Sequence, residues 1–406
     1  VFNHLQGKNL KDFSYSLFDI LHFIRNKKKI HTYMGEIRLM KGNEVLGEAA
    51  IRCGCDGYFG YPITPQSEVM ETLMLRAPWN ETGMVVLQAE SEVASINMVY
   101  GAAGAGKKAM TSSSSPGISL MAEGISYIAG AELPCLIVNV QRGGPGLGTI
   151  QPSQADYFQA VKGGGHGDYK LIVLAPASVQ EMNDFVDLGF ELAFKYRNPA
   201  MILTDGALGQ MMEKVELADQ KPRWTDEEIH KMSGDWATTG KPVTRKKNVI
   251  TSLEMDSDVM EAKNRRFQEK YKLIEEQESR YELIQCDDAD YIIVAFGTSA
   301  RVCQKSVEIA RSKGLKVGLL RPITLYPFPN AIIKELARKA KGFLSVEMSA
   351  GQMIEDIKLA VYEAGSNARV NYFGRMGGII PTPGEVVDAL EDKFSWELSY
   401  GVKRSY

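Results

Sequence analysis

At 406 residues the chain is long for one domain, and two or three are expected. Its composition is ordinary for a globular protein, 44% hydrophobic and 24% charged, so a sizeable core is expected. A net charge of −3 and a pI near 6.1 argue against nucleic acid or an anionic membrane as partner.

The run 13–24 is apolar but contains Asp19 and His22, and it is too short to span a bilayer. The basic RNKKK at 25–29 follows it, whereas a signal peptide carries its charges first. Residues 1–33 therefore read as an extension outside the core fold, compatible with one short docking helix. From residue 42 to about 216 helices and strands alternate. GNEVLGEAAIRCG (42–54) reads as a helix with a glycine stop, and DGYFGYP (56–62) as a strand ending at proline. Thr64 is placed to cap the next helix, with Pro65 at its first position. GMVVLQA (83–89) and PCLIVNVQ (134–141) read as buried strands, continuously apolar as parallel sheets require. YKLIVLAP (169–176) and PAMILTD (199–205) are two more, separated by a helix running from Ser178 to Tyr196.

The segment 217–283 is strongly charged, with a helix near 253–283. Met260, Phe267, Tyr271 and Ile274 fall on one apolar stripe of that helix. This predicts a linker that hugs the surface. A second α/β unit starts at Tyr291. YIIVAFG, KVGLLRP, FLSVEMS and ARVNYFG are its strands, and a helix over 299–314 ends at glycine.

The chemistry is concentrated between Tyr58 and Tyr169. YFGYPITPQSE (58–68), LQAESEVASINMVYGAAGAG (87–106), TSSSSPGISLM (111–121) and VNVQRGGPGLG (138–148) bring glycine-, proline- and serine-rich loops to the ends of apolar runs. Such loops line ligand sites at the carboxyl ends of parallel strands. Gly101 to Lys107 fits the GxxxxGK part of a phosphate loop, but Lys108 stands where a magnesium-binding Ser or Thr belongs. The glycines also lie inside a helical stretch, where small residues serve close helix packing. Ala94, Gly101, Ala102 and Ala105 are the expected packing face. None of the five histidines is spaced as a metal-ligand pair, so no metal site is expected. The five cysteines are scattered, without CxxC, which fits buried thiols in a reducing cytoplasm and cannot supply an iron–sulfur cluster.

Glu92 opens a helix of small residues. It reads either as a carboxylate complementing the helix dipole or as one set in a dry site to hydrogen-bond a cofactor nitrogen. Arg142 ends a strand ahead of GGPGLG, so its guanidinium either grips a carboxylate bidentately or satisfies loop carbonyls. Thr64 is an N-cap or a ligand contact. His166, in KGGGHGDY, is a turn residue or lines a pocket, as does Ser115.

At these residues the chain resembles the alpha subunit of 2-oxoacid:ferredoxin oxidoreductases. GYPITPQSE, AESEVASINMVYGAAGAG, TSSSSPGISLMAEGISYIAGAELPC, VNVQRGGPGLGTIQPSQADYFQA and KGGGHGDY carry the likeness. LLRPITLYPFP and SVEMSAGQMIEDI are similar to that subunit's second domain. The serine-rich loop and QRGGPGLG look closer to the branched-chain (3-methyl-2-oxobutanoate) enzymes than to the 2-oxoglutarate ones. The likeness covers about 34–390. It implies a thiamine-diphosphate-binding (pyrimidine-domain) α/β fold with a parallel sheet over 34–216, a charged helical linker over 217–285, a transketolase-C-like α/β domain over 286–395, and a tail over 396–406.

The resemblance also implies an activity. Such enzymes use thiamine diphosphate to decarboxylate a 2-oxoacid oxidatively, form an acyl-CoA, and pass electrons through iron–sulfur clusters to ferredoxin. Glu92 matches the glutamate that hydrogen-bonds the aminopyrimidine ring and promotes the tautomer that generates the nucleophilic ylid. Thr64 and Arg142 match residues that hold the substrate carboxylate, with Tyr61, Pro62 and Ile63 in the cofactor loop. No GDG followed some twenty-five residues later by Asn is found, and TDG at 204–206 lacks both its leading Gly and a suitable Asn. Diphosphate, magnesium and clusters are then expected on partners: a beta subunit, a gamma subunit and a ferredoxin-like subunit. The lone chain is expected to be inactive. The competing readings are a non-catalytic scaffold with this fold and a 2-oxoglutarate-specific enzyme.

Overall fold

The computed structural model describes residues 35–241 and 243–400, so the extension over 1–33 and residues 401–406 lie outside it. Its strands, in chain order, are β1 (Glu36–Lys41), β2 (Gly57–Gly60), β3 (Val85–Gln88), β4 (Ala109–Ser113), β5 (Leu136–Gln141), β6 (Ile172–Leu174), β7 (Ala200–Asp205) and β8 (Met212–Leu217), followed by β9 (Tyr281–Ile284), β10 (Tyr291–Val294), β11 (Val317–Pro322), β12 (Thr324–Tyr326), β13 (Gly342–Glu347) and β14 (Arg369–Gly374).

Seven strands form the first sheet in the order β12-β6-β7-β5-β4-β2-β3. All its pairs are parallel except β12 against β6. The central strands β4, β5 and β7 are buried at every residue, because helices cover both faces. The sequence reading placed 83–89 among such buried strands, but β3 is the sheet's edge. Val85 is 49% exposed and Leu87 38%. Apolar runs announce a strand but not its lateral place, and here β2 lies between β3 and β4.

Helix Val179–Tyr196 shows how local rules build the covering layer. Ser178 caps it, accepting from the Glu181 backbone N–H at 3.1 Å. Met182, Phe185, Val186, Phe190 and Ala193 form its buried face. Gly189 lets it cross close to β5, since a Cβ there would lie 2.7 Å from Leu136 Cδ1.

In the charged segment, Thr225 and Glu228 form a reciprocal capping box at helix Asp226–Ser233. Helix Ser257–Glu278 buries Phe267, Tyr271 and Ile274, the expected stripe, but Met260 at its start is 36% exposed. The second sheet runs β14-β13-β10-β11-β9, parallel except for β9 against β11. It already includes β9, ahead of residue 285. The chain then returns β12 to the first sheet, where Thr324 pairs with Leu174 and Tyr326 with Val173. The two sheets are interlocked by this exchange. The last helix, Pro383–Tyr400, runs beyond residue 396. Among the described residues no helix is long and apolar enough to cross a membrane.

All five cysteines are free and buried. Burial pushes the Cys53 and Cys135 thiols up to about 12, so they behave as small apolar groups.

Candidate active site

The carboxyl ends of β2, β3, β4 and β5 point to one edge of the first sheet, and each continues into a loop bearing candidate residues. The Ala89 backbone N–H donates to Gly60 O at 2.9 Å, which joins the exits of β2 and β3. Ser91 then caps helix Glu92–Gly104, its hydroxyl accepting from Ala94 N at 3.2 Å. Glu92 is the first helical residue and is 7% exposed. The helix N-terminus favours its charge, yet no described residue hydrogen-bonds its carboxylate.

Helix Ser115–Gly130 explains the burial of Glu92. A Cβ on Gly117 would lie 2.0 Å from Ser113 Oγ and 2.8 Å from Glu92 Oε1, and one on Gly124 would lie 2.5 Å from Ile96 Cγ2. These two glycines let the helices close on each other. The face packed inward is Glu92, Ser95, Ile96, Val99, Ala103 and Gly104. The expected face was a different one: Gly101 is exposed, with open space where a Cβ would be. The small residues that allow the contact sit on the other helix.

The hydroxyls at the end of β4 divide into two groups. Ser112 Oγ lies 2.7 Å from Tyr58 OH and donates to Gln66 Oε1 at 2.6 Å. Gln66 Nε2 in turn donates to Tyr61 O at 3.1 Å, pinning the loop with Tyr61, Pro62 and Ile63. By contrast the hydroxyls of Thr111, Ser113 and Ser114 are buried without a partner. Thr64 does not cap a helix. The helix is Ser67–Arg76, its N-cap is Gln66, and that side chain faces inward. Thr64 is exposed.

Arg142 follows β5 and bridges to Pro152. Its Nη1 donates to Thr64 O at 2.9 Å and its Nη2 to Leu147 O at 3.1 Å, while Nε is buried without a partner. The structure therefore brings Thr64 and Arg142 together across 78 residues, with the guanidinium holding loop carbonyls. Ser115 lies behind Arg142. Its hydroxyl accepts from Arg142 N at 3.1 Å and lies 2.6 Å from Asp156 Oδ2.

His166 is not part of this group. It is exposed, its carbonyl accepts from Ser126 Oγ at 2.6 Å, and its ring meets Tyr127 edge-on. Ser126 is eleven residues beyond Ser115 on one helix, or about 16 Å along its axis. Asp205 of TDG is also engaged elsewhere: its Oδ1 accepts from the Ala207 and Leu208 N–H groups and from Thr298 Oγ1. Among the described residues no cluster of three or more His, Cys, Asp or Glu could hold a metal ion.

Sequence reasoning missed Asn139, Gln141 and Asp156. Asn139 and Gln141 are fully buried polar residues of β5, two apart and so on one face. Polar residues with that spacing in a buried strand were the available signal.

The fold belongs to a class of thiamine-binding proteins. Residues 48–279 match the thiamine diphosphate-binding domain of pyruvate flavodoxin/ferredoxin oxidoreductases, and residues 289–386 match core domain II of pyruvate:ferredoxin oxidoreductase. The ketoisovalerate oxidoreductase subunit VorB of Methanothermobacter thermautotrophicus is 51% identical, over 87% of this chain and 97% of that subunit. The 2-oxoglutarate synthase subunit KorA of Methanocaldococcus jannaschii is 35% identical, over 87% and 99%. Among solved structures, the 2-oxoglutarate:ferredoxin oxidoreductase of Magnetococcus marinus superposes with a TM-score of 0.75 at 28% identity. The match covers 88% of this chain and 65% of that one. An inactive split-gene transketolase, at 13% identity and a TM-score of 0.55, shares the fold alone. This chain belongs to the 2-oxoacid:ferredoxin oxidoreductase family.

Proposed function

We propose that this chain is the alpha-type subunit of a complex that oxidatively decarboxylates a branched-chain 2-oxoacid to its acyl-CoA, and that it contributes the pyrimidine side of the cofactor site. The observation that carries this reading is Glu92, a buried carboxylate with no protein partner beside the unpartnered Ser113 hydroxyl. Buried polar groups are ordinarily satisfied, so a buried Ser113 hydroxyl left open beside the Glu92 carboxylate, which keeps 7% exposure and has no protein partner, suits a ligand that completes both. The missing Cβ of Gly117 lets its backbone pack directly against both groups, which brings them to one spot. The aminopyrimidine of thiamine diphosphate fits this donor and acceptor set. When bound, the cofactor supplies the carbon nucleophile that adds to the oxo group and the electron sink that lets carbon dioxide leave.

The chain's own residues have distinct tasks. Glu92 hydrogen-bonds the ring through its carboxylate. Ser113 offers a second polar contact. Arg142 exchanges its contacts with Thr64 O and Leu147 O for the substrate carboxylate, with the Nε–H already free. Leu147 and Ile150, 84% and 56% exposed on the same loop, are apolar neighbours suited to a branched hydrocarbon chain. Identity of 51–52% to two ketoisovalerate subunits, against 33–36% to four 2-oxoglutarate synthase subunits, favours the same substrate class.

Partner subunits complete the assignment. A beta subunit binds the diphosphate and Mg2+, gamma and ferredoxin-like subunits complete the complex, and the iron–sulfur clusters reside outside this chain. Ferredoxin takes the electrons, and the complex works in the reducing cytoplasm, a setting compatible with five free, buried thiols. The test is to purify the native complex and assay a panel of 2-oxoacids with thiamine diphosphate, CoA and a viologen acceptor. The highest kcat/KM is expected for a branched substrate, and a preference for 2-oxoglutarate would overturn the substrate assignment. Calorimetry on the lone chain should show weak thiamine diphosphate binding or none, and tight magnesium-dependent binding there would contradict the division of the site.

A further inference from the structure

Arg142 does not hold its own position. Its backbone N–H is received by Ser115 Oγ, and that hydroxyl is governed by Asp156. A serine hydroxyl carries one proton. At 2.6 Å from Asp156 Oδ2 the proton belongs to the carboxylate, which leaves an oxygen lone pair for Arg142 N at 3.1 Å. Arg142 O, at 3.2 Å, is the weaker alternative acceptor. Asp156 Oδ2 also accepts from Asn139 Nδ2 at 2.9 Å, and Asn139 Oδ1 accepts from Ser115 N at 3.1 Å. The Asp156 N–H donates to Gln141 Oε1 at 3.1 Å. One carboxylate thus ties the end of β5, the start of helix Ser115–Gly130 and the loop after Arg142. Burial raises the Asp156 carboxyl above its ordinary range, opposed by the Ser115 and Asn139 hydrogen bonds. An acid with no basic partner among the described residues is a costly way to brace a loop.

The Asp156 segment is in turn held by the second unit. Gln352 grips both its flanks, Nε2 donating to Ala155 O and Oε1 accepting from Phe158 N, each at 2.7 Å. Gln154 N donates to Met348 O at 2.8 Å, and Tyr157 OH donates to Asp356 Oδ2 at 2.6 Å. The Gln352 backbone N–H is fixed by Glu347 Oε2 at 2.8 Å. The SVEMSAGQM stretch therefore reaches the site from nearly two hundred residues away in sequence.

We propose that Asp156 is a positioning residue for the Arg142 guanidinium, and that Gln352 of the second unit holds Asp156 in register. This rests on the reading of Arg142 as the substrate-carboxylate contact. An Asn at 156 keeps the shape, and its amide oxygen can still accept from Ser115 and Asn139, but as a neutral acceptor it holds the Ser115 proton less firmly than the carboxylate does. The Ser115 proton is then drawn towards Arg142 O, and the geometry in which Ser115 Oγ receives the Arg142 N–H is held less firmly.

The test is a double-mutant cycle in the assembled complex. Asp156→Asn should raise KM for every 2-oxoacid about tenfold, with kcat within about twofold and thiamine diphosphate affinity unchanged. Gln352→Ala should move KM the same way by about threefold. The double variant Asp156→Asn/Arg142→Lys should be no worse in KM than Arg142→Lys alone, because both act through one contact. A purely structural Asp156 would make the two effects multiply, or would lower assembly with KM intact, and either result overturns the proposal. If Asp156→Asn does not assemble, Ser115→Ala takes its place in the cycle with the same expectations. An Arg142→Lys variant with unchanged KM would instead sink the substrate reading of Arg142 itself, a separate failure.

Discussion

Two buried carboxylates at helix starts, one in each unit, are handled in opposite ways. Glu347, at the end of β13, is fully buried and fully occupied. Its oxygens accept from the backbone N–H groups of Gln352, Met353 and Ile354 and from the hydroxyls of Ser345 and Ser349. It closes the N-terminus of helix Met353–Glu363, whose first N–H groups have no partner within the helix. Glu92 is nearly as buried and also stands at a helix start, but it receives no hydrogen bond from the described residues. The Ser113 hydroxyl, which faces Gly117 together with Glu92, is unpartnered too. The same residue type in nearly the same local setting is a structural knot in one unit and an open valence in the other. Burial separates the two cases only slightly, 0% against 7% exposure, whereas hydrogen-bond satisfaction separates them sharply.

Removing each charge should therefore break different properties. Glu92→Gln should leave fold and assembly intact and lower oxoacid-dependent acceptor reduction by at least two to three orders of magnitude, about 3–4 kcal/mol of transition-state stabilisation. Stopped assays on the assembled variant check this, and activity within threefold of the parent would eliminate the role. Glu347→Gln should do the reverse. An amide group must face backbone donors, so one helix N–H loses its acceptor and the helix dipole loses its counter-charge. The expected loss is about 2–3 kcal/mol of stability, read as a lower denaturant midpoint, with kcat of the folded complex within about threefold. If Glu347→Gln abolished kcat at unchanged stability, the distinction between the two acids would fail.

Arg142 sharpens the comparison, because it holds protein carbonyls and still has one buried N–H free. Lysine keeps the charge but not the planar fork. Arg142→Lys should raise KM for all 2-oxoacids alike, by roughly 1.5–3 kcal/mol or a factor of ten or more in kcat/KM, with thiamine affinity nearly unchanged. Preference among acyl chains should persist, since every substrate shares the carboxylate. Lost assembly at constant KM would make Arg142 a brace for the loop over 142–151 and nothing more.

What the sequence shows of this site follows from how far each interaction reaches along the chain. Glu92 and Arg142 are legible because each marks the end of an apolar run, a local pattern. Their proximity to Ser113 and Thr64 is not, since lateral strand order is a tertiary matter: β3 precedes β4 in the chain but lies on the far side of β2. For the same reason β3 reads as a core strand although it is an edge. The sequence points to the Ala94, Gly101, Ala102 and Ala105 face for the helix contact because glycines on either helix permit close approach, and only the packing decides that Gly117 and Gly124 do so. Asp156 carries no local signal at all. Its partners Ser115 and Asn139 come from two separate elements, and Gln352, which holds the flanking Ala155 and Phe158, comes from the second unit.

The smallest expected effect concerns Thr64, where a local rule named the wrong atom. The Thr-Pro sequence suggested a hydroxyl capping a helix, but the helix begins at Ser67 and the group in use is the Thr64 carbonyl, bound by Arg142. Its exposed side chain is therefore available to substrate, whereas its carbonyl is present whatever residue stands there. Thr64→Ala should leave stability and assembly unchanged, because no cap is lost. If the hydroxyl hydrogen-bonds the substrate carboxylate, KM should rise by about 1 kcal/mol, close to fivefold, and Thr64→Ser should restore it. Combined with Arg142→Lys, the effect should be less than multiplicative, since both residues would hold one carboxylate. A Thr64→Ala variant with parental KM would show that Thr64 serves the site through its backbone alone, and would leave Arg142 as the substrate contact.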